Sequence, residues 1–152
     1  MVNVLFVCHG NICRSPMAEF LFKDYVKKRT VENLFHIESA ATSREEIGNP
    51  VHNGTKRILH SLGIDCSGKR ARQIKQEDME KYDYIIGMDS YNISNLISFF
   101  GTHNKIYSLL EFANMTKDIS DPWYTGDFHK TYQDISKGLE AFYQYLVINH
   151  LI

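Results

Sequence analysis

Cysteine and proline are both scarce in this chain, three of each in 152 residues, and an odd number of cysteines cannot build a full disulfide framework. Such usage suits a reducing compartment. An excess charge of either sign is also missing: the formal net charge is −1, so there is no electrostatic footprint for nucleic acid or an anionic membrane. Any basic site must therefore be local. No apolar run is long enough to span a bilayer, and the apolar N-terminal stretch lacks the basic flank of a signal peptide. The expectation is a cytoplasmic monomer that partners neither nucleic acid nor membrane. Histidines, cysteines and carboxylates nowhere recur at ligand spacing, so neither metal nor other cofactor is expected. Repeats, low-complexity tracts and linkers are absent as well. The remaining composition, 43% hydrophobic, is that of one globular domain, taken as residues 1–152, with a core of its own.

The apolar pattern alternates between two periods. Val2, Val4, Leu5, Phe6 and Val7 predict a strand buried on both faces. Phe35–Ser39, Tyr84–Met88 and Ile106–Leu109 predict three more. Between them run helical stripes: Met17, Phe20, Leu21 and Tyr25; then Val51, Thr55, Ile58, Leu59 and Leu62; then Ile93, Leu96, Ile97 and Phe100. Gly63 and Gly101 stand where helices end, and Asp89 or Ser90 where one starts. A last helix carries Ile135, Leu139, Phe142 and Leu146, with Val147 beside them, and residues 113–127 read as a polar loop. Strands alternating with helices imply a doubly wound α/β sheet of about four parallel strands, covered on both faces. Such sheets bind ligands beyond the carboxyl ends of their strands.

Cys8 follows the first strand directly, in Val7-Cys8-His9-Gly10-Asn11-Ile12-Cys13-Arg14-Ser15-Pro16. Five residues separate Cys8 from Arg14, and Pro16 is placed to open a helix. The amides of so short a loop can all turn inward, and the helix N-terminus adds partial positive charge. Arg14 contributes a planar fork for two phosphate oxygens. A cysteine at the floor of that cup is favoured as thiolate and faces phosphorus as a nucleophile. The spacing alone is weak evidence, arising by chance about one time in ten, and a buried structural cysteine in a βα turn fits it equally well.

A phosphoryl-transferring thiolate also needs a proton donor for the departing oxygen. Asp121 is the candidate, in Asp121-Pro122-Trp123-Tyr124 within the polar loop, where Trp123 and Tyr124 would wall the entrance. Taken alone, Asp-Pro is more often ordinary turn chemistry.

Taken together, these two stretches closely resemble the low-molecular-weight protein tyrosine phosphatases, with Ser39-Ala40, Ala71-Arg72-Gln73-Ile74 and Met88-Asp89 as further points of likeness. The resemblance spans essentially the whole chain. It implies hydrolysis of phosphotyrosine in proteins, and of small aryl phosphates, with inhibition by phosphate or vanadate. It makes Cys8 the nucleophile of a phosphocysteine intermediate, Arg14 the phosphate clamp and Asp121 the acid and then the base. It places His9, Gly10, Asn11, Ile12, Cys13 and Ser15 in the substrate loop, with Asn11 strained, Ser15 beside the thiolate and Ser39 in the network that fixes Asn11. For Ser15 and Ser39, a helix cap and strand-end hydrogen bonding are the plainer readings. It also suggests a protective disulfide between Cys8 and Cys13. Two positions depart from the family pattern. Glu45 stands where many members carry an aromatic residue, and Lys69 where a histidine is frequent. A thiol-linked arsenate reductase shares the loop but needs two further cysteines, and only Cys66 remains. A non-catalytic phosphotyrosine-binding module is the alternative from another class.

Overall fold

The computed structural model describes residues 1–152. Its four strands, β1 (Val2–Cys8), β2 (Phe35–Ala41), β3 (Tyr84–Gly87) and β4 (Ile106–Ser108), form one parallel sheet in the order β2-β1-β3-β4. Six helices follow in chain order: α1 (Arg14–Lys28), α2 (Asn53–Ser61), α3 (Asp78–Lys81), α4 (Ser90–Phe100), α5 (Pro122–Thr125) and α6 (Phe128–Ile148). The chain leaves β1 toward β2 and later returns to β1's other side with β3, so the end of β1 is the topological switch point. Cys8 stands there.

The unbroken apolar run of β1 has its expected consequence, since Val4, Leu5, Phe6 and Val7 are all inaccessible to water. On one face Val4 and Phe6 meet Met17, Phe22 and Val26 of α1 and Ile135, Leu139, Phe142 and Leu146 of α6. Phe22 lies within aromatic contact of Phe6, Phe35 and Phe142. Truncating so well packed a ring costs about 3–5 kcal/mol. On the opposite face Leu5, Val7 and Ile85 meet Leu96 of α4, with Ile74 and Tyr82. The doubly wound sheet is thus covered on both sides.

Several details differ from the sequence reading. α1 begins at Arg14, so Pro16 is its third residue; its missing N–H still costs nothing, because first-turn amides have no intrahelical acceptor. Of the expected α1 stripe Met17 is fully buried, together with Ala18, Phe22 and Val26, whereas Phe20, Leu21 and Tyr25 are only half-buried along the flank. Leu62 and Ile97 are exposed. β4 stops at Ser108, where Ser108 and Glu111 form a capping box that starts a 3-10 turn, Leu109–Ala113. The polar loop contains α5, and α3 arises where no helix was expected. Gly101 ends α4 at φ 72°, as its position suggested. No helix is long and apolar enough to cross a membrane.

Candidate active site

The loop from Cys8 to Arg14 is shaped by what its carbonyls bond to. Those of Cys8 and His9 accept from the N–H groups of Thr42 (3.0 Å) and Ser43 (3.1 Å) beyond β2. The Ile12 carbonyl accepts from His52 N–H at 2.8 Å. That of Cys13 accepts from Met17 N–H at 3.2 Å and from the Thr55 hydroxyl at 3.0 Å. All peptides are trans, and a trans peptide sets its N–H opposite its C=O. With these carbonyls held outward, the amides of His9, Gly10, Cys13 and Arg14 face the concave side.

Asn11 makes this curvature possible. It sits at φ 58°, in the left-handed region that Asn tolerates better than most residues, and it is buried. Its Nδ2 gives one hydrogen to Ser15 Oγ (2.8 Å) and one to Ser39 Oγ (2.9 Å), and its Oδ1 accepts from Arg72 N–H (3.2 Å). Ser39 in turn donates to Glu19 at 2.6 Å. The Ser15 oxygen accepts from Asn11, and its own proton can go to Cys8 Sγ, 3.0 Å away, or to the Ala40 carbonyl at 3.4 Å; Ser15 N–H also points at that sulfur, at 3.4 Å.

Glu19 is only 3% exposed, a burial that demands partners for its charge. Lys23 supplies one at 2.6 Å and Lys69 another at 3.1 Å, and Lys69 also donates to the Ser39 carbonyl at 2.9 Å. Lys69, the departure noted in the sequence, is therefore part of the loop's bracing.

Arg14 is buried, with one nitrogen on Asp89 (2.6 Å) and on the Ile119 carbonyl (3.0 Å) and the other on Asp121 (3.4 Å). Burial opposes its charge, but Cys8, Asp89 and Asp121 around it prevail and raise its pKa further. Asp121 divides its carboxylate: Oδ2 faces Arg14, and Oδ1 accepts from Trp123 N–H at 3.0 Å, capping α5. Burial, then the negative charge of Cys8 and Asp121, push the Cys13 thiol up to about 12.

Cys8, His9, Gly10, Ile12, Cys13, Arg14, Asp121, Trp123 and Tyr124 line one cavity of about 120 Å³. Asn11, Ser15 and Ser39 lie behind the loop, buried. Glu45 and Glu46 form the far rim, and Glu45 pairs with His9 at 2.8 Å. No group of three or more His, Cys, Asp or Glu side chains is arranged for a metal. The sequence reading took Asp89 as a helix start and a point of family likeness and Thr55 as part of a helical stripe, and it gave no role in the site to Glu19, Glu46 or His52. Glu19 alone left a signal, as an acid on a helix face that must be apolar.

A family model described as low molecular weight phosphotyrosine protein phosphatase matches residues 3–150. The low molecular weight protein-tyrosine-phosphatase YfkJ of Bacillus subtilis is 44% identical over 144 residues, 92% of each chain. The crystal structure of YfkJ superposes with a TM-score of 0.94 at 41% identity, covering 98% of this chain and 96% of that one. That of SP-PTP, a low molecular weight protein tyrosine phosphatase from Streptococcus pyogenes, gives 0.84 at 45% identity, covering 96% and 93%.

Proposed function

From the premise that this chain belongs to the low-molecular-weight protein tyrosine phosphatase family and is a tyrosine phosphatase, we propose that it works through a phosphocysteine formed on Cys8. The observation that carries this reading is the convergence of Cys8, Arg14 and Asp121 on one cavity, with the loop carbonyls of Cys8, His9, Ile12 and Cys13 bonded outward. The phosphate of a phosphotyrosine sits among the inward amides and the Arg14 fork, which also hold the equatorial oxygens as charge redistributes in the transition state. The Cys8 thiolate attacks phosphorus in line; the S–P bond forms as the P–O bond to the ring breaks. Asp121, protonated at this stage, gives its proton to the departing phenolate oxygen. Its carboxylate then takes a proton from water as that water attacks phosphorus. The S–P bond breaks, Cys8 returns as thiolate and inorganic phosphate leaves. Trp123 and Tyr124 flank the substrate ring.

Cys8 and Cys13 are both free thiols lining this cavity. Peroxide oxidises Cys8 to the sulfenic acid; Cys13 condenses with it, releasing water, and a thiol reductant reverses the bond.

The test is hydrolysis of p-nitrophenyl phosphate by reduced wild type and Cys8→Ser from pH 4.5 to 8, with vanadate and phosphotyrosine-peptide binding measured on both. A bell-shaped profile lost in Cys8→Ser, with oxyanion binding retained, is expected. Surviving turnover in Cys8→Ser would overturn the nucleophile assignment. Peptide binding without turnover by wild type would make the protein a binding module.

A further inference from the structure

His52 precedes α2 and touches three parts of the site. Its backbone N–H holds the Ile12 carbonyl at 2.8 Å. Its ring Nδ1 accepts from Gly54 N–H at 3.0 Å and so caps α2. The same ring stacks on Phe128 (centroids 5.1 Å apart, planes 14° apart) and meets Trp123 edge to face (5.6 Å, 76°).

Capping alone does not call for a ring, since Ser, Thr, Asp and Asn are the preferred residues there. The ring's second task lies with Trp123. The indole is 57% exposed, so it has little packing of its own, while its N–H backbone bond holds Asp121 Oδ1 at 3.0 Å. α5 is a single turn of four residues, too short to be a cooperative helix, so its orientation depends on tertiary contacts. Phe128, by contrast, is a fixed platform. It packs against Ile12, Cys13 and Ala71, and only a glycine at 54 lets it lie so close, because a Cβ there would come within 2.4 Å of its ring.

We propose that His52 is a positioning residue for Asp121: its ring, stacked on Phe128, holds Trp123 and thereby sets the Asp121 carboxylate over the phosphate loop. This rests on the reading of Asp121 as general acid. An edge-to-face pair biases the turn toward the aligned state by about two- to tenfold.

Two substitutions separate the ring from the cap. His52→Asn keeps the capping acceptor and removes the ring; His52→Phe keeps the ring and removes the acceptor. The full chain and both variants are assayed for kcat/KM on p-nitrophenyl phosphate and on phenyl phosphate, whose poor leaving group depends on the acid, alongside Asp121→Asn. Trp123 is the sole tryptophan, so acrylamide quenching of its emission reports the turn directly. In His52→Asn the ratio of phenyl to p-nitrophenyl phosphate kcat/KM is expected to fall about three- to tenfold, with faster quenching and a near-normal Tm. His52→Phe is expected to keep ratio and quenching and to lose Tm. A wild-type ratio in His52→Asn, while Asp121→Asn lowers it, overturns the positioning role alone. An unchanged ratio in Asp121→Asn removes the acid reading and this inference with it, whatever the quenching shows.

Discussion

Asp89 holds Arg14 at 2.6 Å with one carboxylate oxygen while its other oxygen accepts from Asn92 N–H at 2.8 Å and closes the capping box of α4. One side chain thus starts a helix on one face of the sheet and aims the Arg14 guanidinium rooted on the other. Asp89→Asn separates the two duties, because Asn caps a helix as well as Asp but brings no charge to the guanidinium. Expected are a Tm within about 2 °C of wild type and a kcat/KM lowered about tenfold or more, a loss of roughly 1.4 kcal/mol in transition-state binding. Melting curves and steady-state kinetics on one preparation check both.

Lys69→Met tests the bracing behind the loop. Glu19 keeps Lys23 and Ser39 as partners, so the loss stays below that of an uncompensated buried charge, at about 1–3 kcal/mol in urea unfolding. The Ser39 carbonyl also loses its donor, which loosens the far end of the Asn11 network. A several-fold drop in kcat/KM should accompany the lower midpoint; an unaltered rate would confine Lys69 to stability.

Gly138 lies in the middle of α6, where Gly→Ala ordinarily stabilises by about 1 kcal/mol. Here a Cβ would come within 2.5 Å of Cγ of the fully buried Leu109, which has no room to retreat. Overpacking wins, and Gly138→Ala should destabilise by about 1–3 kcal/mol by denaturant titration. A stabilised variant would mean that the 3-10 turn carrying Leu109 yields.

Glu38 carries the acid sensitivity of the sheet edge. Burial works to raise its pKa, but bonds from Tyr82, His36 and Lys81 outweigh it and hold it at about 2, against an ordinary 4.5. Its stabilisation is therefore complete above pH 4.5 and disappears as pH falls toward 2. The side chain is 35% exposed, so solvent screening keeps the effect modest. Glu38→Gln should melt below wild type at pH 6, and the gap should close between pH 4.5 and 2.5. A gap constant across that range would remove the carboxylate from the account.

What the sequence revealed and what it hid divide along physical lines. β1 and its loop were legible because a continuous apolar run, Gly10 and the Ser15-Pro16 start are all local signals. The stripe of α6 was legible because Ile135, Leu139, Phe142 and Leu146 all turn inward, whereas Val147 is exposed. α1 misled because it is covered along more than one face, so half-buried Phe20, Leu21 and Tyr25 looked as core-like as Phe22 and Val26. α3 and α5, four residues each, have no periodicity to read. Lys69 reaches Glu19 across 50 residues of chain, and Asp89 reaches Arg14 across 75; contacts at such separations leave no trace in a local pattern. Ser108-x-x-Glu111 was visible as a capping box and would have ended β4 one residue sooner.

β1 lies between two strands, with Val4–Val7 sealed from water, so its amides exchange with solvent only when the whole sheet comes apart. Cys8 ends this central strand, whereas Asp121 caps a segment of a single turn, the kind of element that opens locally at lower cost than a buried strand. Mild heat or denaturant, below what unfolds the sheet, strikes these two unequally. On the proposed mechanism, cleavage of esters with reluctant leaving groups should fade first, while anion binding beside Cys8 should persist until global melting.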